Sequence, residues 1–386
     1  MAGPSAGGYV PRFSYSHEMV GDLMGIEGAC RLVDVLTLPP DAAFRLKYDA
    51  QRRSTRFSTG IEGNTIRLET LAQGIALADR TGARRLQEVR NYWMALEWLE
   101  RQVEEGAALS EAFIRRLHRV IVVRGRGRRG EMSDYRTEEC PVVDAATGHV
   151  DYGPPTPADV PGLMAALVAW RNGVDAAGLP GPVRAGALAY QFVTIHPFAD
   201  GNGRTARALA TAELWFGGYR MRGFLSMEEE YFRDLPRYYD SLQMGLPVDY
   251  YQGRNDPDLT PWLAYFLATM ATAAARVRDR ALALRETRPR VKAPWETLPR
   301  RQQQLLSRLV LADPGSDEVP GFAATQIADW FMVSAQTARA WLGEWREAGL
   351  IAPATERSRV RTWVLTEEFR ALVRAARSDT RDSPIA

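Results

Sequence analysis

The chain has 386 residues, of which 46% are hydrophobic and 25% are charged, a length and composition typical of a globular protein with two or three domains. A net charge of +2 excludes a protein whose whole surface binds polyanions, and two cysteines with four scattered histidines exclude a disulfide scaffold and a zinc cluster. The N-terminal residues lack the pattern of a secretion signal, and no apolar run is long enough to span a bilayer. We therefore expect a cytoplasmic protein without membrane contact.

Residues 1–75 are predicted to form a helical N-terminal region. Apolar residues recur at helical spacing over residues 19–36, and a second helix is predicted over residues 41–60. Ser58 and Glu62 lie four positions apart near the end of this second helix, so they share one face of it. Together they place one carboxylate and one hydroxyl where both can form hydrogen bonds with the same side chain.

Residues 76–285 are predicted to form the main, mainly α-helical body of the protein. Strong helical patterns cover residues 84–103 and 109–122. Residues 140–152 then form two short apolar stretches around a turn, which predicts a β-hairpin. His118, on the second of these helices, is interpreted as a packed, hydrogen-bonded residue rather than a catalyst.

The segment from His196 to Arg207 carries the clearest chemical pattern of the chain. A helix predicted over residues 182–195 delivers His196 at its C-terminal end, and Pro197 discourages its continuation. Two glycines that flank an asparagine then allow successive N–H groups to point one way, just before a new helix begins. The candidate site residues are a base, a metal carboxylate, an anion-binding loop and two arginines: His196, Asp200, Gly201, Asn202, Gly203, Arg204 and Arg207.

This set of residues predicts phosphoryl or nucleotidyl transfer by positioning and charge stabilisation, without revealing which. The segment resembles the HPFxDGNGRxxR signature of the Fic family, with every fixed position present. The resemblance covers roughly residues 15–280 and implies a helical core with Mg²⁺-dependent transfer of AMP from ATP to a protein hydroxyl. The related Doc toxins replace the second glycine of the loop and phosphorylate instead. This chain retains Gly203 and Arg204, which favours AMP transfer.

The same resemblance gives roles to residues outside the signature. Ser58 and Glu62 are similar to the [ST]xxxE[GN] inhibitory motif of the family's second class, in which the glutamate pairs with the arginine equivalent to Arg207. Residues 140–152 resemble the flap, a hairpin that pairs with the target protein as an added strand. Tyr239 is a candidate for the nucleotide pocket, although packing alone explains it equally well. Removal of AMP and self-modification are further activities that the family implies.

The C-terminal part is predicted to be a separate winged helix-turn-helix domain. Residues 286–299 are rich in proline and are interpreted as a linker, residues 300–375 as the winged helix and residues 376–386 as a flexible tail. In DNA-binding proteins such a domain places its second helix in the major groove, whereas other winged helices bind protein. The basic segment 124–130 is interpreted as a solvated loop, with nucleic-acid contact as the alternative.

The leading hypothesis is a protein adenylyltransferase that Glu62 inhibits through Arg207 and that uses ATP and Mg²⁺ to modify a protein docked at the flap. The alternative is a DNA-binding transcriptional regulator in which the core senses nucleotide and is largely silent. The sequence leaves open whether inhibition acts within one chain or across a homodimer.

Overall fold

The computed structural model describes residues 8–38, 40–64, 84–122, 132–143, 147–285, 298–312, 318–331, 333–355 and 362–381. The basic segment 124–130, most of the linker 286–299 and the far end of the tail lie outside these residues. The described residues divide into two compact units. One comprises those of Met1–Thr37, Leu46–Ile66 and Ala83–Glu286, and the other those of Leu38–Arg45 and Thr287–Ala386.

The first unit is built mainly from α-helices, as the hydrophobic spacing predicts. Its helices are α1 (His17–Val35), α2 (Pro40–Ile61, from Leu46 onward), α3 (Arg84–Glu104), α4 (Glu111–Val122), α5 (Val160–Asn172), α6 (Val174–Ala177), α7 (Gly181–Ile195), α8 (Asn202–Phe216), α9 (Glu228–Arg233), α10 (Leu235–Gln243) and α11 (Thr260–Arg285). Two short 3-10 segments, Met221–Gly223 and Tyr250–Gln252, connect the later helices.

The hydrophobic core surrounds α7, which is buried along almost its whole length. A helix that is apolar on every side can only be stable inside a protein, and α7 packs against α5, α8 and α11. Gly186 allows the close approach of α11, because an added Cβ would meet Phe266 at 3.1 Å, and Trp262 Nε1 donates to the Gly186 carbonyl at 2.8 Å. The core therefore fixes the point at which α7 ends.

A small antiparallel hairpin lies between α4 and α5 in the sequence. Its strands are β1 (Val142–Val143) and β2 (Val150–Tyr152), with Val142 opposite Tyr152 and Val143 opposite Val150. This register contains an irregularity between the two residues of β1. Residues 144–146 of the predicted turn lie outside the described residues, and Gly148 has the positive φ of 71° that a turn glycine adopts.

The second unit contains helices α12 (Arg300–Ala312), α13 (Ala324–Trp330), α14 (Ala335–Glu347) and α15 (Glu367–Arg381) and the strands β3 (Ile351–Pro353) and β4 (Trp363–Leu365). The two strands pair antiparallel, and Phe322 bridges to Trp363. The Ser334 side chain caps α14 by accepting from the Thr337 N–H at 3.0 Å. Residues 356–361, between these two strands, include Arg357, Arg359 and Arg361 and lie outside the described residues.

None of the helices in the described ranges has an apolar stretch that could cross a lipid bilayer.

Candidate active site

His196 terminates α7 in a left-handed conformation, with φ 51° and ψ 56°. Its main-chain N–H donates to the Phe192 carbonyl at 3.1 Å, and its ring Nδ1 lies 3.1 Å from the Val193 carbonyl. A carbonyl can only accept, so Nδ1 carries the proton and the lone pair of Nε2 is available. Burial lowers the pKa of His196 below its ordinary value. The imidazole is therefore neutral near pH 7 and suited to accept a proton.

The loop that follows His196 is closed by the side chain of Asn202. Its Oδ1 accepts from the Phe198 N–H at 3.0 Å and its Nδ2 donates to the Phe198 carbonyl at 2.7 Å. In this ligand-free conformation the amide thus binds the loop itself and the residue is buried, and a role for Asn202 in binding phosphate stays a prediction. As the first residue of α8, Asn202 also offers its main-chain N–H, and Gly201 precedes it with φ 80°.

Asp200 lies at the rim of the loop and is held on two sides. Its carboxylate accepts from Arg204 Nη2 at 3.1 Å, and its main-chain carbonyl lies 2.7 Å from His118 Nε2. His118 Nδ1 in turn lies 2.6 Å from the Ser133 hydroxyl, and the imidazole stacks on the Phe198 ring. Because Nε2 faces a carbonyl, it must donate, so Ser133 donates to Nδ1. His118 thus belongs to the support of the loop and is packed, as the sequence predicts.

Arg207 points away from Asp200 and toward the end of α2. Its Nε donates to the Ser58 hydroxyl at 2.9 Å, and its Nη2 donates both to the Ser58 carbonyl at 2.9 Å and to Glu62 Oε1 at 2.8 Å. Burial opposes the charge of Arg207, but the Glu62 carboxylate together with the neighbouring Tyr238 and Tyr92 more than compensates, so that the pKa of Arg207 lies above its ordinary value. The structure thus places the two predicted inhibitory residues on the second arginine of the signature.

Gly203 makes the contact between Glu62 and Arg207 possible. A Cβ at this position would overlap Glu62 Oε1 and lie 3.3 Å from Arg207 Nη1. The Glu62 carboxylate therefore occupies the space above Gly203, at the N-terminal turn of α8, where the helix dipole favours negative charge. A phosphate group bound at this turn and the Glu62 carboxylate compete for the same volume.

Tyr239 is placed at the edge of this arrangement. The residue is 42% exposed, and its hydroxyl donates to the Ile61 carbonyl at 3.3 Å, so that it supports the end of α2. Nothing in the ligand-free geometry assigns it to a nucleotide pocket, and that role stays a prediction.

Sequence reasoning missed Arg136 and Glu228. Arg136 binds the His196 carbonyl, and Glu228 accepts from Ser54 and Tyr92 at 2.8 and 2.9 Å beneath the C-terminal half of α2. Arg136 stands alone before an irregular segment and Glu228 lies in an acidic run, so neither has a sequence pattern that predicts a role at the site. Only the tertiary structure shows that both are buried beside the site.

A search of the described residues finds no group of three or more histidine, cysteine, aspartate or glutamate side chains that could bind a metal by itself. Asp200 is a lone carboxylate, and its side chain is 52% exposed. Such a carboxylate fits Mg²⁺ when phosphate oxygens and water complete the octahedron, which is the usual arrangement for this ion.

Residues 108–214, which include α4 and the entire loop, match the model of the Fic/DOC family. The chain is 32% identical over 182 residues to the protein adenylyltransferase Fic of Drosophila virilis, and the match covers 45% of this chain and 35% of that protein. The Drosophila melanogaster protein of the same name matches at 32% identity, with 34% of its length covered. The chain thus spans about a third of the length of these curated relatives.

Solved structures support the same fold. A Fic family protein from Desulfovibrio desulfuricans superposes with a TM-score of 0.54 at 23% identity, covering 93% of this chain and 99% of that one. A Fic domain-containing signalling protein from Bacteroides thetaiotaomicron superposes with a TM-score of 0.55 at 24% identity, covering 68% and 97%. Residues 108–214 therefore match a Fic/DOC domain, within a mainly helical chain that is distantly similar to the Fic adenylyltransferases.

Proposed function

We propose that this chain is a protein adenylyltransferase that transfers AMP from ATP to a serine, threonine or tyrosine hydroxyl of a protein and that Glu62 holds it inactive. The observation that carries the proposal is that one loop joins a neutral imidazole with an available Nε2 to a glycine-lined helix N-terminus that an anion can occupy. Retention of Gly203 and Arg204 favours transfer of AMP over transfer of phosphate.

In the proposed reaction His196 Nε2 accepts the proton of the acceptor hydroxyl. The hydroxyl oxygen forms a bond to the α-phosphorus of ATP, and the bond from that phosphorus to the bridging oxygen breaks, so that pyrophosphate leaves. A general base of this kind typically contributes about 10²- to 10⁴-fold in rate. The N–H groups of Asn202 and Gly203 and the side chains of Arg204 and Arg207 stabilise the negative charge on the phosphates.

Mg²⁺ is the cofactor that the donor set favours. Asp200 would hold it together with phosphate oxygens of the nucleotide, and the ion would neutralise charge on the leaving pyrophosphate. The Asp200–Arg204 ion pair keeps the carboxylate at the rim of the loop in the ligand-free protein, where the nucleotide enters.

The acceptor protein is proposed to dock at the hairpin β1–β2. Val143 and Val150 are exposed on this hairpin, at 50% and 39%, and a short edge strand offers N–H and C=O groups to an extended segment. Main-chain pairing of this kind sets the position of the incoming hydroxyl and places few demands on the acceptor sequence. The same mode of docking would serve self-modification.

Inhibition is proposed to act by withdrawing Arg207 and filling the space above Gly203. With Glu62 in place, the outer phosphates of ATP lose both a cationic partner and part of their volume, so ATP would bind in an unproductive pose. The same carboxylate could orient a water for removal of AMP, which is the reverse activity that the family implies.

The test is transfer of label from α-labelled ATP with Mg²⁺, comparing wild type with Glu62→Gly. A charge-assisted hydrogen bond is worth about 1.5–3 kcal/mol, so we expect labelling to rise roughly 10- to 100-fold. The matched control is Glu105→Gly, since Glu105 is also an exposed glutamate just beyond a helix end, here that of α3, and its loss should leave labelling unchanged.

Adding His196→Ala to Glu62→Gly should abolish labelling while ATP binding, measured by calorimetry, stays within a few-fold. Label from γ-labelled ATP on protein would instead indicate phosphate transfer. The absence of α-label in Glu62→Gly, with ATP still bound, would contradict the proposed activity and favour a nucleotide sensor.

The sensor is the second candidate, and the second unit supports it. Helices α13 and α14 form a helix-turn-helix followed by the β3–β4 pair, as in a winged helix, and α14 exposes Gln336, Arg339 and Arg346 together with Glu344 and Glu347. If this unit binds DNA, affinity for a duplex will fall steeply with added salt; no binding at low salt would leave protein recognition as its role.

A further inference from the structure

Arg136 occupies a position between the catalytic loop and the flap hairpin. It is 6% exposed, and its Nε donates to the His196 carbonyl at 2.8 Å. Its Nη1 donates to the Glu138 carbonyl at 3.2 Å, and its Nη2 donates to the Pro155 carbonyl. Its own main-chain N–H donates to the Pro197 carbonyl at 2.9 Å. One residue thus joins three separate segments of the chain.

These segments are the two ends of the hairpin and the base itself. Glu138 precedes β1, and Pro155 follows β2. A second link runs parallel to the first, because the Tyr152 hydroxyl on β2 donates to the Thr194 carbonyl in the last turn of α7. The Tyr152 ring also stands edge-on to the imidazole of His196, with 6.5 Å between the ring centroids. The hairpin and the base are therefore held together at more than one point.

The chemistry of the contact explains why an arginine stands here. Within the described residues, every hydrogen-bond acceptor of the Arg136 guanidinium is a main-chain carbonyl. Burial without a carboxylate partner is unfavourable for a cation and lowers the pKa of Arg136. Only a guanidinium supplies five donors in a planar fork that can reach three carbonyls in different directions, and lysine cannot.

We propose that Arg136 is a positioning residue for the transfer reaction, because it ties the main chain of His196 to both ends of the hairpin that receives the acceptor. The inference rests on the proposed function and deepens it. Arg136 touches neither nucleotide nor acceptor; it fixes where the acceptor strand lies relative to Nε2. Misplacement of reacting groups by about 1 Å is sufficient to cost on the order of 10²-fold in rate.

The first experiment compares Arg136→Lys and Arg136→Gln in the Glu62→Gly background, with α-labelled ATP and the protein itself as acceptor. We expect single-turnover self-labelling to fall roughly 10²-fold in both variants, while ATP affinity by calorimetry stays within about twofold. The control is Arg222→Lys, since Arg222 also donates to a main-chain carbonyl, at Leu36 (3.1 Å), and belongs to neither the loop nor the hairpin. Its labelling rate should equal that of the parent.

Tyr152→Phe provides a variant that leaves no buried charge unpaired and only removes the second link. It should reduce self-labelling about fivefold, at unchanged ATP affinity, because one neutral hydrogen bond is worth about 1 kcal/mol. Labelling by Arg136→Lys or Tyr152→Phe within twofold of the parent would contradict the proposal.

The second experiment does not depend on activity. The chain has four histidines, so ¹⁵N-histidine spectra can be assigned to His196 by comparison with His196→Ala. The charged groups that face this imidazole are Arg136 and Glu62, and Arg136 disfavours its protonation. In the Glu62→Gly background, Arg136→Gln should raise the pKa of His196, whereas Arg136→Lys should keep it low, and both should broaden or shift the Nδ1–H signal.

Unchanged His196 signals in both variants would show that Arg136 does not hold the base, whatever the rates. If Glu62→Gly itself fails to label, the proposed function is wrong, and the spectra still decide whether Arg136 positions His196. The two failures are thus distinguishable.

Discussion

Two arginines of the first turns of α8, three residues apart, are held in opposite ways. Arg204 and Arg207 are both almost completely buried, at 4% and 5% exposure. Arg204 makes its ion pair with Asp200, four residues earlier in the chain. Arg207 makes three hydrogen bonds to Ser58 and Glu62, which lie on or just after α2, about 145 residues earlier. The ion pair of Arg204 is thus local in the sequence, whereas the contacts of Arg207 depend on tertiary structure.

The contacts of Asp200 and those of Glu62 therefore form under different conditions. The Asp200 side forms as soon as the loop closes, and its exposed carboxylate can exchange Arg204 for a cation and phosphate at little cost. The Glu62 side forms only when α2 packs on the core, and its loss leaves a buried guanidinium with one partner fewer. Three substitutions test this contrast, with effects on the unfolding free energy that are expected to range from about 3 to less than 1 kcal/mol.

The largest effect is expected for His118→Gln on the Asp200 side. Burial lowers the pKa of His118 to about 4, from an ordinary value of 6.5. Since the unfolded chain binds the proton first, wild type should lose about 3 kcal/mol of unfolding free energy as the pH falls from 6.5 to 4, and glutamine does not titrate. Urea unfolding in metal-free buffer measures the difference. If the variant and wild type lost the same unfolding free energy over this pH range, His118 would not be the group responsible.

An intermediate effect is expected for Gly203→Ala on the Glu62 side. The new Cβ overlaps Glu62 Oε1, so the carboxylate must leave Arg207, at a cost of about 1.5–3 kcal/mol in unfolding free energy. In the Glu62→Gly background the clash is absent, and the same change should be neutral or stabilising because alanine is favoured over glycine in a helix. A double-mutant cycle in urea measures this coupling. If Gly203→Ala changed the unfolding free energy equally in both backgrounds, the clash with Glu62 would not be the cause.

The smallest effect is expected for Asp200→Asn. Its side chain is 52% exposed, so loss of the pair with Arg204 should change the unfolding free energy by no more than about 1 kcal/mol. The same change should nevertheless remove Mg²⁺-dependent labelling in the Glu62→Gly background. A large loss of stability would mean that the loop relies on this ion pair, against the contrast drawn here.

Much of the fold and of the loop could be predicted from the sequence, for local reasons. The predicted helices over 19–36, 84–103 and 182–195 match α1, α3 and α7 closely, because hydrophobic spacing and proline or glycine stops are local signals. The pairing of Glu62 with Arg207 came from family resemblance, not from spacing.

The remainder depends on tertiary structure. The sequence places Asn202 in the anion-binding loop but does not predict the partners of its side-chain amide, and only the fold decides that these are the main-chain polar groups of Phe198. Arg136 gave no signal, because two of its three acceptors, the carbonyls of His196 and Pro155, lie 60 and 19 residues away in the sequence. Glu228 is similar, since its burial beneath α2 depends on packing rather than on pattern.

The amide ring that Asn202 closes with Phe198 has a consequence for ligand entry. The bend is cross-linked by two hydrogen bonds before any nucleotide arrives, so its conformational entropy is lost during folding rather than on binding. A preorganised receptor of this kind binds without an ordering penalty, and the Phe198 amide hydrogen should exchange with solvent as slowly in the free protein as in a saturated one.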